Sequence, residues 1–250
     1  MSGHSKWSSI KHKKAVIDAR RGRAWSKLAR AVTMAAQRGG NPQDNPSLRL
    51  AIDKAKAGNM PKDTIEKAIK KGTGELQGER FEEVVYEGYG PAGVAIMCKA
   101  VTDNRNRTTP EIKKVFERHG GNMGATNCVA FLFSQRGVIV VDAAKVGEDK
   151  LLELALEAGA DDVITSDVAH EVLCNPQNFE RLKKALEEAG IEMASADLSM
   201  CAANEITLDL ESARKVMRLI DAFEDHDDVQ AVYSNSHIPD EVGAQLAQES

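Results

Sequence analysis

At 250 residues, with 42% hydrophobic residues and a mean hydropathy of −0.37, the chain can bury two or three small cores, which excludes a disordered polymer. No apolar run approaches the ~20 residues of a membrane span, no apolar signal segment opens the chain, and Ser2 rather than glycine follows Met1, so a cytoplasmic protein without membrane contact is expected. The net charge of −5 hides a division: residues 1–71 hold 17 Lys+Arg against 5 Asp+Glu, about +12, leaving 16 and 33 for residues 72–250, about −17.

From Lys6 to Arg30 the basic head is densest. Lys6, Lys11, Lys13, Lys14, Arg20, Arg21, Arg23, Lys27 and Arg30 stand against one acid, Asp18. Concentrated positive charge attracts polyanions, whereas the acidic body would be repelled by them, so the head is expected to touch nucleic acid. The alternative is that these cations merely solvate a helical face. His12, inside KHKK, belongs with the phosphate-binding surface rather than with proton transfer. Trp7 either stacks on a base or anchors the arm. Residues 2–14 read as a flexible basic arm that orders on binding.

Further on, Trp25, Leu28, Val32 and Ala35 or Ala36 recur at helical spacing, and Gly39-Gly40 end the helix. After the turn-rich NPQDNP, Asn45 caps and Pro46 opens a second helix, with Leu48, Ala51, Ile52 and Ala55 inward and Gly58 at its end. Pro61 opens a third, with Ile65, Ala68 and Ile69 on one face and Gly72 as its stop. Three short helices make a small bundle, and GTGELQGER over 72–80 reads as a linker.

Beyond the linker the pattern changes to period two. Residues 81–89 and 94–102 read as paired strands, 110–119 as a helix ending at Gly120-Gly121, and 128–133 as a third strand. From Gly137 the elements run strand, helix, strand, strand, helix, strand, the order of a ferredoxin-like unit. A short strand near Ile206, a helix over 211–223 and a strand over 229–233 are left to complete the sheet begun at 81. The expected fold is therefore α+β and multidomain: a basic N-terminal three-helix domain with its arm (1–75), a middle α+β domain (76–134 plus 205–240), and a ferredoxin-like βαββαβ domain inserted in it (135–204).

Gly88, Gly90 and Gly93 match G-x-G-x-x-G, but Pro91 and the β-rich run after it make a hairpin turn the better reading than a dinucleotide site. TDNRNRTT, at 102–109, precedes the helix opening at Pro110, with Thr108 or Thr109 as its cap. Asn104, Arg105, Asn106 and Arg107 form either a secondary anion contact or an internal clamp onto the domain's own acids; in an extended loop the two arginines would project on one side. His226 within EDHDD suggests a metal at first sight, but a solvated acidic loop is the plainer reading. Cys98, Cys128, Cys174 and Cys201 form no C-x-x-C pair and read as reduced thiols. Scattered histidines and unpaired carboxylates point away from catalysis; no cofactor and no metal are expected.

GHSKW at 3–7, LRLAIDKAKAGNMPKDTIEKAIKKG at 48–72, YEGYGPAGVA at 86–95 and TDNRNRT at 102–108 together resemble the YebC/PmpR family, over about residues 2–236. The resemblance implies three domains, a non-enzymatic cytoplasmic protein, and a regulatory role: promoter-DNA binding in bacterial members, or action on translating ribosomes, as in the related mitochondrial translational activator of cytochrome oxidase subunit I. The chain departs from the family pattern at Thr126-Asn127-Cys128, where Gly-Ser is common, and at Lys99, where an acid is frequent. Three functions stay open on these grounds. One is a DNA-binding transcriptional regulator; another is a ribosome-associated translation factor contacting ribosomal or transfer RNA, with the acidic domains facing a protein partner. An adaptor whose basic head is incidental is a third.

Overall fold

The structure, a computed structural model, describes residues 21–78, 80–166 and 168–248. The fold is mixed α+β, with eight α-helices and two four-stranded antiparallel sheets among the described residues. These residues form two compact units, one of 21–130 with 211–234 and one of 131–210 with 235–248.

The first unit begins with α1 (Arg21–Ala36), α2 (Pro46–Ala57) and α3 (Lys62–Gly72). Val32, Ala36, Leu48, Ala51, Ala55, Met60, Ile65 and Ala68 form their common core, with Trp25 and Leu28 packed against it. Asn45 stitches two helices together. Its Oδ1 accepts the Leu48 N–H at 3.1 Å, while its Nδ2 donates to the Ala35 and Gly39 carbonyls at 2.8 Å each, so one side chain caps α2 and ties off α1. At Gly72, α3 lies so close to α1 that an added Cβ would collide with the Thr33 carbonyl oxygen. Trp25 belongs to this core, and its indole N–H donates to the Gly58 carbonyl at 2.9 Å.

Next come β1 (Glu82–Tyr89) and β2 (Ala95–Thr102), a hairpin whose turn is closed by Gly90 N–H donating to the Val94 carbonyl at 2.7 Å. The glycine-rich GYGPAG is thus a hairpin turn. Helix α4 (Arg105–Arg118) follows, then the short β3 (Asn122–Met123). Later in the chain, α7 (Leu210–Glu224) and β9 (Val229–Ser234) complete this part, and the sheet runs β3-β1-β2-β9. Every residue of β2 except half-buried Lys99 is buried, which accounts for its near-continuous apolar run. Lys99 pairs with Glu83 across the β1–β2 surface at 2.8 Å.

The second unit holds β4 (Phe133–Asp142), α5 (Glu148–Glu157), β5 (Asp162–Thr165), β6 (Ala169–Cys174), α6 (Phe179–Glu188) and β7 (Met193–Ala202). Its sheet is ordered β5-β6-β4-β7 with every neighbour antiparallel. Leu151, Ala155, Phe179, Leu182 and Leu186 are buried, as are Val138 and Val140 of β4. Gly137 is required where it stands, because a Cβ there would meet the Phe179 ring at 2.8 Å. A parallel pair, β8 (Ile206–Thr207) with β10 (Ser236–His237), and α8 (Asp240–Gln248) complete the unit.

Three expectations are corrected. The helix expected at Pro110 begins at Arg105, because Asn104 accepts the Arg107 N–H at 3.2 Å as N-cap; Pro110 removes only the bond to the carbonyl of Asn106, an exposed residue. The expected strand over 128–133 is a turn followed by a 3-10 segment, Ala130–Leu132. Buried Glu87 takes its backbone donors instead of a neighbouring strand: Oε1 accepts from Asn127 at 2.8 Å, and Oε2 accepts from Val129 at 2.9 Å and Ala130 at 2.8 Å. The strand near Ile206 pairs with β10 rather than joining the β1–β2 sheet.

Candidate nucleic-acid interface

Of the residues singled out in the head, Lys6, Trp7, Lys11, His12, Lys13, Lys14 and Arg20 lie outside the described residues, and so does the arm over 2–14. Arg21 and Arg23 open α1. Lys27 and Arg30 lie further along the same helix, and the structure takes both inward. Lys27 Nζ donates to the Glu224 carbonyl at 2.5 Å, and Arg30 Nη1 donates to the Asp227 carbonyl at 2.6 Å and to Asp228 Oδ1 at 2.9 Å. The Arg30 guanidinium also lies 5.5 Å from the centre of the Phe81 ring. Burial draws the Lys27 ammonium below the ordinary lysine value, only partly offset by Glu224, Asp227 and Asp225.

Asp228 is the centre of this arrangement, with a side chain only 3% exposed. Its Oδ2 accepts from Arg107 Nη2 at 2.9 Å and from the Thr108 hydroxyl at 2.6 Å, while Oδ1 takes Arg30. Burial pushes the Asp228 carboxyl up, but the bonds from Thr108 and Arg107 and the charges of Arg107 and Arg30 outweigh it, so it sits below the ordinary aspartate value. The hydrogen bond and charge of Asp228 hold the Arg107 guanidinium above the ordinary arginine value. The Asp228 backbone is fastened too: its N–H donates to His226 Nδ1 at 3.2 Å and its carbonyl accepts from Val101 at 2.8 Å. With Nδ1 accepting, His226 Nε2 carries the proton and donates to Glu111 Oε2 at 3.1 Å.

The TDNRNRTT segment therefore divides. Asn104 is a helix cap, and Arg107 binds Asp228 and, at 2.9 Å, Asp103. Arg105 and Asn106 are exposed, and Arg105 forms no ion pair among the described residues. Because these residues are helical rather than extended, Arg105 and Arg107 project to opposite sides.

Among the cations that do face solvent are three on α3. Lys67, Lys70 and Lys71 are exposed, share one helical face at spacings of three and four, and form no ion pair among the described residues. Sequence reasoning passed over these three. The available signal was the KAIKK spacing, outweighed by the denser run before Arg30. No group of three or more metal-ligating side chains occurs among the described residues, and no described helix is long and apolar enough to cross a membrane. No disulfide joins the four cysteines, and burial raises the Cys98 and Cys174 thiols, the latter to about 11.

These features define a class: a mixed α+β protein in which a helical bundle is pinned to its neighbouring sheet by cations converging on one buried carboxylate. Residues 5–75 match the TACO1/YebC protein N-terminal domain, and residues 81–236 match the TACO1/YebC second and third domain. The chain belongs to the TACO1/YebC family. It is 52% identical over 253 residues to a probable transcriptional regulatory protein of Halothermothrix orenii, with all of both chains covered. Proteins of the same name from Maridesulfovibrio salexigens (51% identical, 98% of this chain and 99% of the relative) and Persephonella marina (53%, 94% and 95%) are similar. A crystal structure of a conserved hypothetical protein from Aquifex aeolicus superposes with a TM-score of 0.84 at 49% identity, covering 92% of this chain and 96% of that one.

Proposed function

We propose that the chain is a non-enzymatic regulator of gene expression that binds nucleic acid through its basic N-terminal region, acting on promoter DNA as a transcriptional regulator in the cytoplasm. The carrying observation is the charge division, about +12 over residues 1–71 against about −17 over the remainder. The solvent-facing lysines of α3 support it, and so do the relatives named probable transcriptional regulatory proteins. Lys27 and Arg30 serve in this reading as fasteners, holding the helical domain against the middle domain, while the arm and α3 meet phosphate. The domain plan belongs to the same reading: a helical domain, a middle α+β domain, and a ferredoxin-like domain inserted in it, for which the strand order β5-β6-β4-β7 is the support.

The test is ultraviolet crosslinking in living cells, followed by sequencing of the attached nucleic acid, for the full chain and for a chain lacking residues 1–14. Crosslinks concentrated at a few promoter regions and abolished with the arm are expected. Crosslinks concentrated in ribosomal and transfer RNA would replace promoter binding with a role in translation, and no enrichment of either would overturn nucleic-acid binding.

A further inference from the structure

A second concentration of positive charge lies far from the head in sequence, in the otherwise acidic body. Phe116 of α4 and Phe223 of α7 meet edge to face with ring centres 4.7 Å apart. Gly90, in the β1–β2 turn, lies directly against Leu219 of α7, where an added Cβ would approach Leu219 Cδ2 to 3.0 Å. These contacts lock two helices and one turn around a cleft of about 450 Å³ lined by Pro91, Arg118, His119, Gly120, Lys215 and Arg218. Arg118, Lys215 and Arg218 are exposed. Neither arginine forms an ion pair among the described residues. Among the described residues Lys215 holds only its exposed neighbour Glu211, at 2.7 Å, a surface pair that a stronger anion displaces readily. At the end of α4 the Phe116 and Glu117 carbonyls accept from the His119, Gly120 and Gly121 N–H groups.

Planar guanidinium groups on two walls of one cleft suit a phosphate oxygen pair, and the apolar stems beneath them suit a sugar. We propose that this cleft is a second phosphate-binding site, taking the sugar-phosphate backbone of the nucleic acid that the head engages; it rests on the nucleic-acid reading above. The head then supplies one anchor and the middle domain another.

The test is fluorescence anisotropy of the full chain with a labelled duplex oligonucleotide across a salt series. The log–log salt slope scales as about 0.9 per phosphate neutralised, so R118A/R218A is expected to weaken binding about tenfold and to flatten the slope by about 2. R118K/R218K, which keeps both charges, is expected to retain the slope, and K150A/K184A in the second unit is expected to change nothing. Wild-type binding with an unaltered R118A/R218A slope overturns the cleft and leaves the head reading standing. No binding by the wild type overturns both. Saturable binding of adenosine 5′-monophosphate that R118A/R218A abolishes, with the oligonucleotide slope unchanged, moves the site to a free phosphate monoester and overturns the backbone claim.

Discussion

Helices α1 and α3 carry similar cations to opposite ends. Lys27 and Arg30 of α1 reach into the sharp turn over 224–228, whereas Lys67, Lys70 and Lys71 of α3 stand in solvent. The difference lies in what each helix faces. α1 packs on a segment that carries the buried Asp228 carboxylate, so Arg30 satisfies an acid that burial would otherwise strand, and Lys27 meets the carbonyl of half-buried Glu224. α3 turns its apolar side, Ile65 and Ala68, to the bundle, and Lys67, Lys70 and Lys71 form no ion pair among the described residues. Charge density alone does not separate a cation that holds the protein together from one that meets a ligand.

The largest effect is expected at Asp228. Asp228→Ala removes the acceptor of Arg30, Arg107 and Thr108 together, and is expected to cost about 2–4 kcal/mol in urea denaturation, at the lower end of what breaking a buried pair costs because both arginines can reach water. A change under about 0.5 kcal/mol, the size of an ordinary surface substitution, would mean that the clamp does not hold the helical domain.

Replacing Lys67, Lys70 and Lys71 with alanine sharpens the other side. Three exposed side chains leave stability within about 0.5 kcal/mol, while nucleic-acid affinity is expected to fall about 10- to 100-fold, or about 1.4–2.8 kcal/mol. Unchanged affinity would place the phosphate-binding surface elsewhere in the head.

The smallest effect is in pH. Asp228 has a folded-state pKa below its ordinary value, so its contribution is complete above the unfolded value near 4 and is lost as pH falls through the lower folded value. The stability gap between wild type and Asp228→Asn should therefore be constant from about pH 7 to 5 and close below about pH 4. A gap that instead closes as pH rises from 5 to 7 would assign the clamp's titration to another group.

What was legible in the sequence follows the range over which each cause acts. Asn45-Pro46 and the stop at Gly72 obey local rules of capping and chain geometry, and the helices they bound stand where those rules place them. The clamp was half legible: TDNRNRTT showed a segment rich in caps and guanidinium groups, but not its partner, since Asp228 lies 121 residues from Arg107 and 198 from Arg30. The start of α4 was misplaced because Pro110 is a stronger local signal than Asn104, although the asparagine sits at the true boundary. The run at 128–133 has the composition of a strand, and only the buried Glu87 carboxylate, 40 or more residues earlier, explains why its backbone bonds go elsewhere.

The central claim, that solvent-facing cations of the head meet phosphate while inward-facing ones fasten the fold, is tested most directly by one salt titration. Duplex-oligonucleotide affinity would be followed against salt concentration for the wild type, Arg30→Ala and the triple lysine variant, all as full chains. Arg30→Ala is expected to keep the wild-type slope, and the triple variant to flatten it by about 2–3, near 0.9 for each phosphate no longer neutralised. A flattened slope for Arg30→Ala with the triple variant unchanged would contradict that claim.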